Sequence, residues 1–224
     1  AAEEFRKALE LDPESASDRY GLFVVEPFER GFGTTIGNGL RRVLLSSIEG
    51  TAVTSVKIDG VVHEYSTITG VLEDITHIIL NLKKLRVQMH TDAPTTLRLD
   101  VSQKGDVTAG MIEADHNVEI VNPDLKICTL TDDVRFYAEI QVRKGRGYVT
   151  AEDNVSEEME VGTIPIDSIF SPVYRVKYSI ENTRVGKFTN YDKLILEIWT
   201  DGTVSPEMAL VEASKIYRKH LNPF

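Results

Sequence analysis

ERGFGTTIGNGLRRVLLSSIEG, residues 29–50, is the stretch on which the fold turns. Gly31, Gly33, Gly37 and Gly39 invite a phosphate-loop reading. A Walker loop ends in Gly-Lys-Ser or Gly-Lys-Thr, and this stretch has no lysine; a dinucleotide fingerprint needs a third glycine where Ile36 stands. A glycine-rich helix start that lets the backbone approach a neighbour fits the spacing better. At about 100° per residue, Ile36, Leu40, Val43, Leu44 and Ser47 share one arc, the expected core face. Arg42 and Leu45 fall on roughly the opposite side, three positions apart and therefore neighbours. That pair suggests a partner surface, with Arg42 the stronger candidate because arginine is enriched at binding hot spots. The plainer alternative is a solvated arginine beside a stray exposed leucine.

Outward from this helix, composition sets bounds. The chain has 224 residues, 42% hydrophobic and 27% charged, which suits one or two domains with a real core. A net charge of −10 makes it a poor autonomous DNA binder, since that affinity comes from neutralising phosphates. Two short basic groups, Lys83, Lys84, Arg86 and Arg143, Lys144, Arg146, are the only features favouring nucleic acid. The single cysteine, Cys128, forms no internal disulfide, which fits a reducing compartment. No run has the length of a membrane span, and the charged start AAEEFRKALELDP is not a signal peptide, so a cytoplasmic location is expected.

Taken in order, residues 1–11 read as a short helix through Phe5, Ala8, Leu9 and Leu11, ending before Pro13. The wording is like a tetratricopeptide closing helix, but no second copy follows at that period. RYGLFVVEP (19–27) is a strand ahead of the glycine-rich helix. TAVTSVKIDGVV (51–62) alternates around Asp59-Gly60 and predicts a hairpin. Residues 70–85 return to helical spacing through Leu72, Ile75, Ile79 and Leu82. Residues 95–142 are mostly β, with Val134, Phe136, Ala138, Ile140 and Val142 on one face, and KGRGYV (144–149) reads as a basic loop. Five acids crowd residues 152–160: either a solvating loop or a docking patch for something basic. VYRVKYSI (173–180) and KLILEIWT (193–200) are strands. Ser205-Pro206-Glu207 then opens a helix with a capping hydroxyl, a first-turn proline and an acid at the positive end. Ala209, Leu210, Ala213, Ile216, Tyr217 and Leu221 form its apolar stripe. A strong apolar helix near each end predicts that the ends share one domain, with the β-rich middle inserted.

No catalytic set emerges. None of the five histidines has a ligand-spaced partner, and Cys128 has no cysteine companion, so neither a metal site nor a cofactor is expected. Cys128, flanked by apolar residues, reads as core rather than nucleophile. A Gly-x-Ser-x-Gly elbow and a cluster of metal-binding aspartates are both missing.

Several long blocks resemble one family. They are EPFERGFGTTIGNGLRRVLLSSIEGTAVTSVKIDGVVHEYSTITGVLEDI (26–75), NPDLKICTL (122–130), GRGYV (145–149), IPIDSIFSPV (164–173) and DKLILEIWTDGTVSPEMAL (192–210). Together they resemble the amino-terminal domain of the bacterial-type RNA polymerase alpha subunit. The resemblance implies an α+β fold: a discontinuous dimerisation domain (19–49 and 174–224, a sheet with two helices) and an inserted β-rich domain (50–173). Residues 1–18, unlike the usual family start, are an extension of open role. It implies a non-catalytic assembly subunit of a nucleotidyltransferase complex in transcription, acting within the nucleoid. Two copies would pair through Ile36, Leu40, Val43 and Leu44 of the first helix and Leu210, Ala213 and Tyr217 of the last. Arg42 and Leu45 match positions on the face that binds the β subunit. Lys83 and Ile166 match positions implicated in β′ contact. Glu157, Glu158 and Glu160 align with an acidic loop that some members offer to transcription activators. The family continues into a linker and a DNA-binding domain, so direct promoter binding is not assigned to these residues. The other functional reading is a stand-alone nucleotide-binding protein using residues 31–39.

Overall fold

The computed structural model describes residues 8–11, 17–155 and 159–223. In chain order the first elements are β1 (Ala8–Leu11), β2 (Tyr20–Phe28), α1 (Phe32–Ser46), β3 (Glu49–Ile58), α2 (Ile75–Leu82) and β4 (Val87–Met89). Then come β5 (Thr95–Val101), β6 (Gly105–Thr108), β7 (Val118–Ile120), β8 (Lys126–Leu130), β9 (Phe136–Arg146) and β10 (Tyr148–Val149). The last are β11 (Thr163–Pro165), β12 (Ser168–Ile169), β13 (Val173–Val185), β14 (Phe188–Thr200) and α3 (Pro206–Leu221). The fold is α+β, with antiparallel sheets throughout. The chain divides into two units: residues 1–48 with 171–224, and residues 49–170.

The first unit is a four-stranded sheet ordered β1-β2-β14-β13, with α1 and α3 packed on it. Strict alternation along β14 buries Leu194, Leu196 and Ile198 on one face, where Phe23 from β2 and Val176 from β13 join them. α1 contributes Leu40 and Leu44 to that core, and α3 contributes Ala209, Leu210 and Ala213. The start of α3 follows the sequence expectation: the Ser205 hydroxyl accepts from Met208 N at 3.3 Å, with Pro206 in the first turn.

The second unit is built on a sheet ordered β11-β3-β9-β5, with three two-stranded ladders and α2 around it. Val56, Leu97, Leu99, Ile127 and Ile140 are fully buried at its centre.

Several local expectations change. The described part of residues 1–11 is a strand, pairing Ala8 with Glu26 through to Leu11 with Phe23. Hydrogen bonding to the edge of β2 overrides a helical pattern too short to hold on its own; residues 1–7 lie outside the described part. The chain does turn at Asp59-Gly60, with φ +77° at Gly60, but no hairpin forms. β3 is instead a central strand between β9 and β11, buried continuously from Ala52 to Val56. α2 begins only at Ile75, where the Asp74 carboxylate caps it by accepting from His77 N at 2.7 Å. Its buried face is Ile75, Ile78 and Leu82, and Leu72, expected on that face, lies exposed before the helix. KGRGYV is not a loop: β9 runs on to Arg146, paired with Glu49, and β10 follows after a turn at Gly147. Leu221, expected in the apolar stripe of α3, is exposed in its last turn.

Candidate functional site

The glycines of α1 serve packing. Gly33 and Gly37 lie four residues apart on one side of the helix. A Cβ on Gly37 would come within 2.9 Å of Leu194 Cδ1 and Tyr178 Cδ2, so the helix backbone rests directly on β13 and β14. A Cβ on Gly39 would meet the Tyr217 ring at 2.7 Å, so α1 and α3 also touch at close range. The amino end of α1 is an anion site that the protein fills itself. Asp192 on β14, only 6% exposed, places Oδ2 2.8 Å from Gly31 N and 3.1 Å from Gly33 N. These N–H groups and the positive end of the helix dipole are what a phosphate would need. With a buried carboxylate already there, the geometry disfavours the nucleotide reading. Sequence reasoning missed Asp192, because nothing in the chain's periodicity links position 192 to position 31.

The two adjacent arginines behave differently. Arg41 Nε donates to Val176 O at 3.3 Å, tying α1 to β13. Arg42 is exposed and makes no ion pair among the described residues. Leu45, expected beside it on a non-core face, is half-buried and packs against the first unit's core. The two-faced wheel therefore needs correcting at Leu45: α1 is flanked by both the sheet and α3, so its buried arc is wider than one stripe. Ile36, Val43 and Tyr217 are half-buried around the same core, whereas Leu40, Leu44, Leu210 and Ala213 lie within it.

Between α1, α3 and the sheet lies a groove of about 700 Å³, lined by Phe23, Val25, Ile36, Leu40, Leu210 and Val211 among others. Glu207, Lys215 and Arg218 border it. Val211, within the groove, and Met208 on the same helix are exposed. An apolar groove with a charged border, on the helix pair that carries Arg42, is a surface suited to a protein partner.

In the second unit, residues far apart in sequence meet around Asp167. Lys83, just after α2, donates to one carboxylate oxygen of Asp167, and the Tyr148 hydroxyl donates to the other at 3.3 Å. The Lys83 ammonium holds the Asp167 carboxyl below the usual carboxylate range, against the opposing effect of partial burial. Ile166, the neighbouring residue, is 1% exposed and part of the core. The second basic group is also paired internally: Lys144 with Asp92 at 2.7 Å, Arg146 with Glu49 at 3.6 Å, and Arg143 with Asn154 at 2.7 Å. The Asp92 and Glu49 carboxylates offset the charge of Lys144 and Arg146, whereas Arg143 bonds a neutral amide. Among the described residues no group of three or more His, Cys, Asp or Glu is placed to hold a metal ion. None of the described helices is long and apolar enough to cross a membrane.

A family model described as the RNA polymerase Rpb3/RpoA insert domain matches residues 56–171. A DNA-directed RNA polymerase subunit alpha of Rhodopirellula baltica is 56% identical over 221 residues, covering 99% of this chain and 67% of the relative. Its counterpart in Symbiobacterium thermophilum is 60% identical over 205 residues, covering 92% of this chain and 65% of the relative.

The chain belongs to the DNA-directed RNA polymerase alpha-subunit family.

A third alpha subunit, from Moorella thermoacetica, is 52% identical over 214 residues, covering 96% of the chain and 68% of the relative. The chain thus spans about two thirds of the length of the alpha subunits it matches. The insert match lies almost wholly in the second structural unit, residues 49–170. Of the acidic loop that alpha-subunit resemblance brings forward, Glu157 and Glu158 lie outside the described residues. Glu160 pairs with Lys57 at 2.6 Å, and the ammonium holds its carboxyl below the ordinary range.

Proposed function

We propose that the chain is a non-catalytic assembly subunit of a DNA-directed RNA polymerase. Two copies associate through α1 and α3, and the pair then receives the β and β′ subunits. The observation that carries this reading is the apolar groove between α1 and α3 in a chain of the alpha-subunit family. Apolar surface of that kind is stabilised by being covered, at roughly 25 cal/mol per Å². A second copy supplies the matching helices by symmetry, as a two-fold interface requires. Arg42 then serves the β subunit: it is exposed, unpaired among the described residues, and carried on a helix tied to the sheet at Gly31 and at the adjacent Arg41. Leu45 supports it from the half-buried flank. The acidic residues Glu157, Glu158 and Glu160 are offered to basic surfaces of transcription activators.

The test is Arg42→Ala in a β-binding assay with the paired chain. Loss of about 2 kcal/mol in β affinity is expected, with self-association intact. Normal β binding by the variant contradicts the assignment of this face.

A further inference from the structure

We propose that the far end of the β13–β14 hairpin is a docking arm for an acidic polypeptide segment. The arm stands apart from the assembly reading, since it shares no lining residue with the α1–α3 groove. β2 supports β14 only as far as the pair Asp192–Phe28. Beyond that pair β13 and β14 run on to Val185 opposite Phe188, with no third strand beside them among the described residues. Exposure rises in step: Asp192 is buried, Tyr191 is half-buried, and residues 186–190 are all exposed. A two-stranded ladder alone in water is marginal, so this one has stability to gain from being covered.

What the arm displays sets the chemistry of the partner. Residues 182–191 carry two cations, Arg184 and Lys187, and no carboxylate, in a chain of net charge −10. Neither cation makes an ion pair among the described residues, whereas Lys193 and Glu181 at the base of the arm pair at 3.6 Å. Phe188 is 66% exposed and lies directly opposite Val185, so the two side chains share one side of the ladder. Solvation accounts for the cations but not for an aromatic ring at the tip. Between Phe188 and the residues ahead of α1 lies a groove of about 270 Å³, lined by Glu29, Arg30, Phe188, Asn190 and Tyr191. Arg30 is exposed and adds a third cation at its wall. The tip is also preset. Gly186 takes φ +59°, as the first position of a two-residue Gly186-Lys187 turn requires. Arg184 Nε donates to Gly186 O at 2.7 Å and so keeps the guanidinium beside the turn. Groups held in this way lose little freedom on binding, and aromatic and arginine side chains are enriched at interface centres. The complement is an extended segment in which Asp or Glu flanks a leucine-like side chain: carboxylates meet Arg184, Lys187 and Arg30, and the apolar group covers Phe188 and Val185. Three cations are few for a phosphate backbone, whose affinity grows with each charge neutralised, so the features favour polypeptide over nucleic acid.

Fluorescence anisotropy on the full chain tests this with three labelled probes: a short peptide in which Asp flanks Leu, the same peptide with Ser in place of Leu, and a single-stranded oligonucleotide of equal charge. The Asp/Leu peptide is expected to bind saturably and about tenfold more tightly than either of the others. Phe188→Ser is expected to bring it down to the level of the Asp/Ser peptide, and Phe188→Tyr to keep it. Arg184→Glu with Lys187→Glu is expected to weaken it by about tenfold or more, whereas Lys104→Glu, an exposed cation of the second unit, should leave it unchanged. Should charge reversal disturb the arm, Arg184→Gln with Lys187→Gln provides a second test, with a loss of the same direction. Absence of saturable binding by the Asp/Leu peptide, or binding that Phe188→Ser and both double variants leave unchanged, overturns the arm as a docking site. Oligonucleotide binding as tight as the peptide's, and lost in the double variants, overturns the polypeptide assignment.

Discussion

Asp192→Ala removes the anion that seats α1, and its consequences follow from the geometry. The Asp192 carboxylate accepts from Gly31 N and Gly33 N while almost wholly buried. Hydrogen bonds to a charged group contribute roughly 1.5–3 kcal/mol each. An anion at a partly buried helix start adds up to about 2 kcal/mol. These contributions overlap, and burial of the carboxylate itself costs several kcal/mol, so a net loss of about 3 kcal/mol is expected. For a chain of this size that corresponds to roughly 6–12 °C in melting temperature. Asp192→Asn keeps an oxygen acceptor but no charge, and should lose about half as much. Thermal unfolding followed by circular dichroism measures the shift. Amide exchange at residues 31–36 locates it, since the first turn of α1 should exchange faster while β14 is little changed. A melting temperature within about 1 °C of wild type, with unaltered exchange in α1, would refute the capping role.

Three further outcomes follow from the same packing. Gly37→Val places side-chain atoms where a Cβ already lies 2.9 Å from Leu194 and Tyr178; overpacking should cost about 2 kcal/mol in thermal unfolding, whereas exposed Asn38→Ala should not. Cys128 is fully buried, and burial first, then the nearby Glu73 charge, pushes its thiol up to about 12. Mass spectrometry after iodoacetamide should find it unmodified in the folded protein and alkylated in denaturant. The Lys83–Asp167 pair depresses the Asp167 carboxyl below 3.8, so its stabilisation is present above that pH and is lost as pH falls through the lower folded value. Any stability gap between wild type and Lys83→Met at about pH 6 should therefore close in acid, and a gap that widens on acidification would contradict the pairing.

Much of the first unit is legible from local pattern. β14 alternates without a break, α3 opens with Ser205-Pro206-Glu207, and α1 carries its apolar arc at helical spacing. Those signals are local, and local signals survive without tertiary information. What the chain hides is long-range. Asp192 caps a helix 159 residues away, and Asp167 gathers Lys83 and Tyr148 from separate segments. β3 alternates as a hairpin arm should, yet as a central strand it pairs with β9 and β11 on both sides. Residues 8–11 carry a helical spacing that the edge of β2 overrides. The helical wheel puts Leu45 on a non-core face, yet it is half-buried against the first unit's core. Ile166, which only the resemblance singles out, lies in the core of the second unit.

The central claim is that α1 and α3 hold two copies together by apolar packing. Sedimentation velocity on the chain at micromolar concentration, in dilute buffer and in about 1 M salt, tests it most directly. The account predicts a species near twice the 25.1 kDa chain mass in both conditions, because apolar contacts are not screened. A monomer in dilute buffer, or a pair that dissociates as salt is raised, would contradict it.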